Sequence, residues 1–203
     1  MNDRERLAAP AVAVAPLLLG SFLTAGGVRL RITEVEAYLG IGLDPGSHSY
    51  RGKTPRNAVM FGEPGHLYTY FTYGMHTCCN VVTSPEGESS AVLIRAGEIV
   101  DGVEIARQRR TTSRADSDLA RGPARLCVAL GIAMADNGTD LLGDTPTSRV
   151  SLELRDAAAA PSFATGPRTG VSGAGGGADY PWRFWIPGEP TVSPYKAHSP
   201  KKR

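Results

Sequence analysis

This sequence predicts a single α+β domain: a mostly antiparallel, curved β-sheet flanked by helices, with one β-hairpin protruding from it. Three observations lead there. Strand-like runs succeed one another across short glycine-containing turns, at Ala25-Gly26-Gly27 and again at Tyr73-Gly74, which favours hairpin pairing over parallel crossovers. The helical stretches are few and short, bounded by residues such as Asp101, Gly122-Pro123 and Gly131, which start and stop helices. No internal repeat or linker divides the 203 residues, and that length with 41% hydrophobic residues suffices for one domain with a real core.

Taken in order, the apolar run Ala8 to Leu19 carries Pro10 and Pro16 and is too short for a membrane span. Arg4 and Arg6 precede it as in a signal peptide, but Gly20-Ser21-Phe22-Leu23 runs straight into strand-like sequence, so a short helix is expected. Ser21–Leu23 and Val28–Tyr38 form a hairpin. In its second arm, alternation puts Val28, Leu30 and Ile32 on one face and extends that face through Glu34, Glu36 and Tyr38, so two carboxylates continue an apolar row. A Gly-, Pro- and Ser-rich loop follows with His48, Arg51 and Lys53, and Thr54-Pro55-Arg56-Asn57 opens a helical turn before Met60-Phe61. Two strands then meet at Tyr73-Gly74, with Tyr68, Tyr70 and Tyr73 ahead of the turn and His76 and Asn80 after it. A strand over Ala91–Ala96 contains Arg95. Asp101 is expected to cap a helix running to Arg110, and Gly122-Pro123 opens one running to Leu130. Strand-like pieces recur at Val150–Leu154 and Trp182–Ile186, separated by segments 157–160 and 166–177 that read as mobile loops.

Composition excludes several classes. The net charge of +2 is mild, and the terminal Lys201-Lys202-Arg203 reads as a short solvated tail. Cys78, Cys79 and Cys127 are odd in number and lack Cys-x-x-Cys spacing, so they fit neither a disulfide framework nor a zinc site. Free thiols suit a reducing cytoplasm. No phosphate-binding glycine loop, His-Glu-x-x-His motif or nucleophile elbow is present. A hydrolase built here must therefore use a carboxylate to activate water, without metal or cofactor.

Several residues have two readings. Glu34 and Glu36 serve as a general-base pair or as a structural ion pair with Arg95, the commoner use of buried carboxylates. His48 reads as an exposed turn histidine, and Tyr38, Tyr70 and Tyr73 as core or interface aromatics. Asn80 is unusual within a strand, where asparagine is depleted. Arg121 and Arg125 flank a helix N-terminus, which favours phosphate, though solvated arginines are equally ordinary there.

Thr33-Glu-Val-Glu-Ala-Tyr-Leu-Gly40, Asp44-x-x-Ser-His48-Ser, Thr54-Pro-Arg-Asn57, Met60-Phe61, Pro64-Gly-x-Leu-Tyr68, Tyr73-Gly-Met75, Asn80 and Val92-Leu-Ile-Arg95 stand in an order and spacing that resemble the alkyladenine (3-methyladenine) DNA glycosylase family. Arg121-Gly-Pro-Ala-Arg-Leu-Cys127 and Pro181-Trp-Arg-Phe-Trp185 extend the match from about Leu17 to about Ser193. The extent of the resemblance sets 17–193 as the glycosylase domain, with a flexible N-terminal segment expected over 1–16 and a basic tail over 194–203. It implies an enzyme that flips a damaged purine out of duplex DNA, since the target carbon is unreachable in the stack. Glu36 is then the general base that activates water, and Arg95 holds that water and keeps Glu36 ionised. Tyr38, His48 and Tyr70 sandwich the base, and Asn80 is a gate against the exocyclic amine of guanine. Tyr73 is the wedge that fills the gap, with Met75 and His76 beside it in the minor groove. Arg51, Arg56, Arg121 and Arg125 are phosphate contacts. No lysine matches a nucleophile position, which implies a monofunctional enzyme, and the partner is damaged double-stranded DNA met by a monomer without membrane, metal or cofactor. His76 replaces an aromatic of another family member, and Arg168-Thr-Gly-Val171 matches a family strand only in part. Two rivals are a non-catalytic damage binder and a metal-dependent hydrolase using Glu34 and Glu36.

Overall fold

The computed structural model describes residues 1–72, 74–143 and 149–199. Among them, eight strands form one unclosed sheet, antiparallel throughout, with four short α-helices packed against it. This is the α+β domain that the alternating runs predict. Tyr73 and the terminal Lys201-Lys202-Arg203 lie outside the described residues.

The chain begins with α1 (Asp3–Leu7), closed at its start by a capping box between Asn2 and Glu5, and α2 (Ala11–Leu18). Leu7, Ala11, Val14, Ala15 and Leu18 are fully buried, and each such leucine contributes about 1.5–3 kcal/mol relative to exposure. Leu7, Ala11, Val14 and Ala15 thus anchor the start of the chain to the core. The hairpin of β1 (Phe22–Ala25) and β2 (Val28–Tyr38) turns at Gly26 and Gly27, with φ of 55° and 78°, values that glycine accepts without strain.

β2 is the axis of the sheet. One edge pairs with β5 (Ala91–Asp101), which carries the hairpin of β3 (Leu67–Thr72) and β4 (His76–Val82) beyond it. The other edge pairs first with β1, which in turn holds β6 (Val150–Glu153). Further along that edge it pairs with β8 (Arg183–Trp185), itself joined to β7 (Ala164–Gly166). The helix α3 (Val103–Arg109) starts at Gly102 in the left-handed region with no side-chain cap. Asp101, expected as that cap, ends β5 and accepts only the Gly102 N–H. α4 (Pro123–Leu130) has the expected proline in its first turn and a left-handed Gly131 at its end.

One expectation is overturned by the pairing of β2 with β5. The register runs Ile32 with Gly97, Glu34 with Ala96 and Val35 with Ile94, so Thr33 and Arg95 are each an extra residue on their strands. A bulge of this kind re-aims every side chain beyond it. Val28, Leu30 and Ile32 join the core, but after the bulge it is Val35 and Ala37 that do so. Glu34, Glu36 and Tyr38 thus turn to the opposite face. Thr54 and Asn57 close the predicted turn at Pro55–Phe61, a 3-10 helix. Segments 157–160 and 166–177, expected as mobile loops, contain β7's last residue, two short 3-10 turns and a fully buried Arg168.

Candidate active site

A cavity of about 770 Å³ opens on the face of the sheet that the bulge exposes. Alternation along each strand supplies its lining: Tyr68, Tyr70 and Thr72 from β3, Cys78 and Asn80 from β4, Leu93 and Arg95 from β5. Their neighbours Leu67, Cys79, Val81, Val92 and Ile94 face the core. The wall is completed by Pro45, Gly46 and His48, by Arg121 to Arg125 at the N-terminus of α4, by 169–172 and by 196–199.

The two glutamates have separate fates. Glu34 is fully buried and saturated: Arg95 Nε and Arg183 Nε donate to its Oε1 at 2.8 and 2.7 Å, Ser193 N–H donates to Oε2 at 2.6 Å, and the Ser193 hydroxyl to Oε1 at 2.9 Å. Burial opposes its charge, but Arg95 and Arg183 outweigh that and hold its pKa below the ordinary carboxylate value. Glu36 is equally buried but accepts from groups that line the cavity. Tyr38 OH donates to Oε2 at 2.8 Å, Thr169 N–H donates to Oε1 at 2.6 Å, and Arg95 Nη1 stands 3.2 Å from Oε2. For Arg95, burial works against the charge, while Glu36 and Glu34 more than compensate and raise its pKa.

Tyr38 is held from behind. The Arg168 guanidinium lies 4.4 Å from its ring centre, and Arg168 also binds both Asp44 oxygens at 2.6 Å and donates to Ala37 O at 2.9 Å. Asp44 in turn accepts from the Leu39 and Gly46 N–H groups, which fixes the loop leading to His48. Only glycine fits at 46, because a Cβ there would come within 2.6 Å of Arg168 Nη2. Burial, then Glu36, raise the Tyr38 pKa well above 10, so its hydroxyl stays protonated as a donor.

His48 is an exposed turn residue, as the plain reading has it, and it also borders the cavity. Its ring meets Tyr70 edge-on at 4.6 Å between centres, and its Nδ1 lies 3.1 Å from Tyr68 OH. Burial, then Arg56, lower its pKa below 6.5, which keeps the imidazole neutral near pH 7. Tyr68 and Tyr70 stack with their centres 5.8 Å apart. Tyr68, to which the sequence reading gave no role in the site, borders the cavity, and its separation of two from Tyr70 on a strand was the available signal. Asn80 donates to Tyr68 O at 3.0 Å. Cys78 beside it has its thiol pushed up to about 11 by burial and is no nucleophile near neutral pH.

The hairpin tip stands in solvent: Met75 is 72% exposed and His76 is exposed too, while His76 also borders the cavity. Arg121 donates to Val192 O at 2.8 Å and Arg125 pairs with Asp118, both at the cavity rim. Arg56 donates to Phe71 O at 3.3 Å and lies 5.9 Å from the Tyr70 ring. Arg51 is exposed on the loop and does not border the cavity. Sequence reasoning missed Arg168, Thr169 and Lys196, the last an amine that borders the cavity from the C-terminal segment. Among the described residues no cluster of three or more His, Cys, Asp or Glu side chains suits a metal ion. None of the helices there is long and apolar enough to cross a membrane.

A family model for methylpurine-DNA glycosylase matches residues 5–190. A protein of Leifsonia xyli subsp. xyli named "Putative 3-methyladenine DNA glycosylase" is 59% identical, covering 96% of this chain and 92% of its own. Proteins of the same name are 54% identical in Streptomyces avermitilis, over 98% and 94% of the two chains, and 50% identical in Mycobacterium tuberculosis, over 97% and 95%. On the match across nearly its whole length, this chain belongs to the methylpurine-DNA glycosylase family and is a DNA N-glycosylase of alkylated-base repair.

Proposed function

We propose that the protein flips alkylated or deaminated purines out of duplex DNA and hydrolyses the bond to deoxyribose with water activated by Glu36. The observation that carries this is the Glu36 carboxylate, fully buried and, among the described residues, bound by Tyr38, Thr169 and Arg95, three residues that border the aromatic cavity. A volume of about 770 Å³ falls in the range of small-molecule sites, about 300–1,000 Å³, and takes a purine with its sugar. Tyr38, His48 and Tyr70 would sandwich the base, each stack contributing about 1–3 kcal/mol. Asn80 would crowd a guanine exocyclic amine. Tyr73, with Met75 and His76, would enter the minor groove, and Arg51, Arg56, Arg121 and Arg125 would meet phosphates.

In the reaction, a water oxygen attacks C1′ while the glycosidic bond breaks and its electron pair leaves on the purine. Glu36 takes a proton from the water and its charge stabilises the oxocarbenium-like centre, as carboxylates do in sugar hydrolysis. Arg95 is shared with Glu34, whose oxygens are already taken up by Arg95, Arg183 and Ser193. Glu34 is thus a brace for Arg95 rather than a second base or a metal ligand. We read the enzyme as a cytoplasmic monomer and as monofunctional, with no covalent step.

The test is Glu36→Gln on duplexes each carrying 3-methyladenine, 7-methylguanine, hypoxanthine or ethenoadenine, without metal. Wild-type protein should leave abasic sites, and the variant should bind the same duplexes without releasing base. Full activity in Glu36→Gln overturns the water-activation role. Sodium borohydride should trap no covalent DNA adduct; trapping that disappears in Lys196→Ala would make the enzyme bifunctional.

A further inference from the structure

All 20 acidic side chains and 18 of the 22 basic ones fall within residues 1–195, a net charge of −2. The last eight residues carry Lys196, Lys201, Lys202 and Arg203 and no acid. The positive excess of the chain is thus confined to its C-terminus, and the rest has the sign that repels a phosphate backbone at long range. That count already includes the arginines at the cavity rim, and Arg125 among them is paired with Asp118. The fold sets the start of this basic stretch at the mouth of the cavity. Ser193 N–H donates to the buried Glu34 at 2.6 Å and Arg183 Nη2 donates to Ser193 O at 2.7 Å, which pins the chain there. Beyond it, residues 194–199 are exposed and belong to no helix or strand. Gly170 N–H donates to Lys196 O at 2.8 Å, and 196–199 border the cavity. Among the described residues no carboxylate pairs with Lys196.

We propose that the chain from Lys196 onward is a cationic arm that binds the phosphate backbone of the duplex around the flipped nucleotide. The inference rests on the glycosylase reading above, which places the lesion in the cavity. Arg203 is four residues past Ser199, and an extended chain spans at most about 3.6 Å per residue, so the three terminal cations stay within about 15 Å of the rim. Duplex DNA carries one negative charge per about 1.7 Å of its axis. A duplex with its lesion in the cavity therefore holds several phosphates inside that radius. Tethering at the rim keeps the effective concentration of the arm high for those phosphates. Each cation that meets a phosphate releases condensed counterions, which drives binding without a fixed geometry. The arm reads no bases and depends on charge rather than shape, so lysine and arginine are interchangeable in it. It holds the duplex against a body of like charge.

Two variants of the full chain test this. Lys196→Gln with Lys201→Gln, Lys202→Gln and Arg203→Gln removes the four charges, whereas Lys196→Arg with Lys201→Arg, Lys202→Arg and Arg203→Lys keeps them. Binding of each to an undamaged duplex is titrated from 50 to 200 mM salt. The neutral variant should bind about tenfold or more weakly at about 100 mM salt, and its slope of log affinity against log salt should be shallower by about 0.9 per phosphate given up, about 2 to 4 in all. The charge-keeping variant should match wild type in both. Melting temperatures should agree among the three proteins, since substitutions on an exposed segment cost little stability, and lost affinity is then not lost fold. An unchanged slope in the neutral variant overturns the arm, as does a charge-keeping variant as weak as the neutral one. Base release by wild-type protein from a 7-methylguanine duplex is scored beside these titrations. No release overturns the glycosylase reading instead, and the slopes still decide whether the arm binds duplex.

Discussion

The guanidinium of Arg168 lies 4.4 Å behind the Tyr38 ring while two of its nitrogens bind both oxygens of Asp44 at 2.6 Å. Both side chains of the pair are fully buried. Through it the strand end at Ala37, the loop toward His48 and the backbone at Gly175 are tied into one body. Removing one partner leaves an uncompensated buried charge, so Arg168→Met or Asp44→Asn should each cost about 3–5 kcal/mol. The double variant should cost much less than the sum of the two. Urea denaturation of the four proteins measures it, and additive losses would contradict a coupled pair.

Glu34 makes stability depend on acid. Its pKa is lowered in the folded protein, so its contribution is fully present above the ordinary value of 4.5 and fades as pH falls through the folded value. Glu34→Gln should therefore destabilise strongly at pH 7, and the gap to wild type should narrow below pH 4.5. Denaturation midpoints from pH 7 to pH 3 test this; a constant gap would deny Glu34 its ionic role.

The histidine in the cavity has the opposite consequence for its own protonation. Because burial, then Arg56, lower the folded pKa of His48 below 6.5, the unfolded chain takes up the proton first. Stability should fall as pH drops through 6.5. His48→Gln removes that part of the slope between pH 7 and pH 5. An unchanged slope would show His48 titrating alike in both states.

Tyr73→Ala should weaken binding to a lesion duplex and slow base release by about tenfold or more, equivalent to about 1.4 kcal/mol. Equal binding and release would remove Tyr73 from the role of wedge.

Arg121 and Arg125 are separable from it. Each alanine variant should reduce the slope of log affinity against log salt by about 0.9 if that arginine neutralises one phosphate. A binding titration from 50 to 200 mM salt, read with undamaged duplex, isolates this effect.

Local chemistry made much of the frame legible. Alternation and the Gly26-Gly27 turn gave the β1–β2 hairpin, and Gly122-Pro123 with Gly131 bounded α4 to the residue. Thr54 and Asn57 marked the turn at Pro55–Phe61. Glu36, Arg95, Tyr38, His48, Tyr70 and Asn80 were named from ordered motifs; the fold sets the last five along one cavity, with Glu36 buried behind Tyr38 and Arg95. Tyr68 was legible too, by its spacing from Tyr70, though its contact with His48 depends on a loop twenty residues earlier.

What the sequence by itself determined is what neighbours within a few residues decide: turn glycines, caps, strand periodicity and the motif order of the family. Only the tertiary structure decided which way Glu34 and Glu36 point, because the extra residues Thr33 and Arg95 arise from pairing between strands some sixty residues apart. It alone decided that Arg168 is buried, since its partner Asp44 lies 124 residues away. The Gly-rich segment carries no periodicity, and the burial of Arg168 within it depends on a charge pair that no local pattern can announce. Thr169 owes its place beside Glu36 to the same docking.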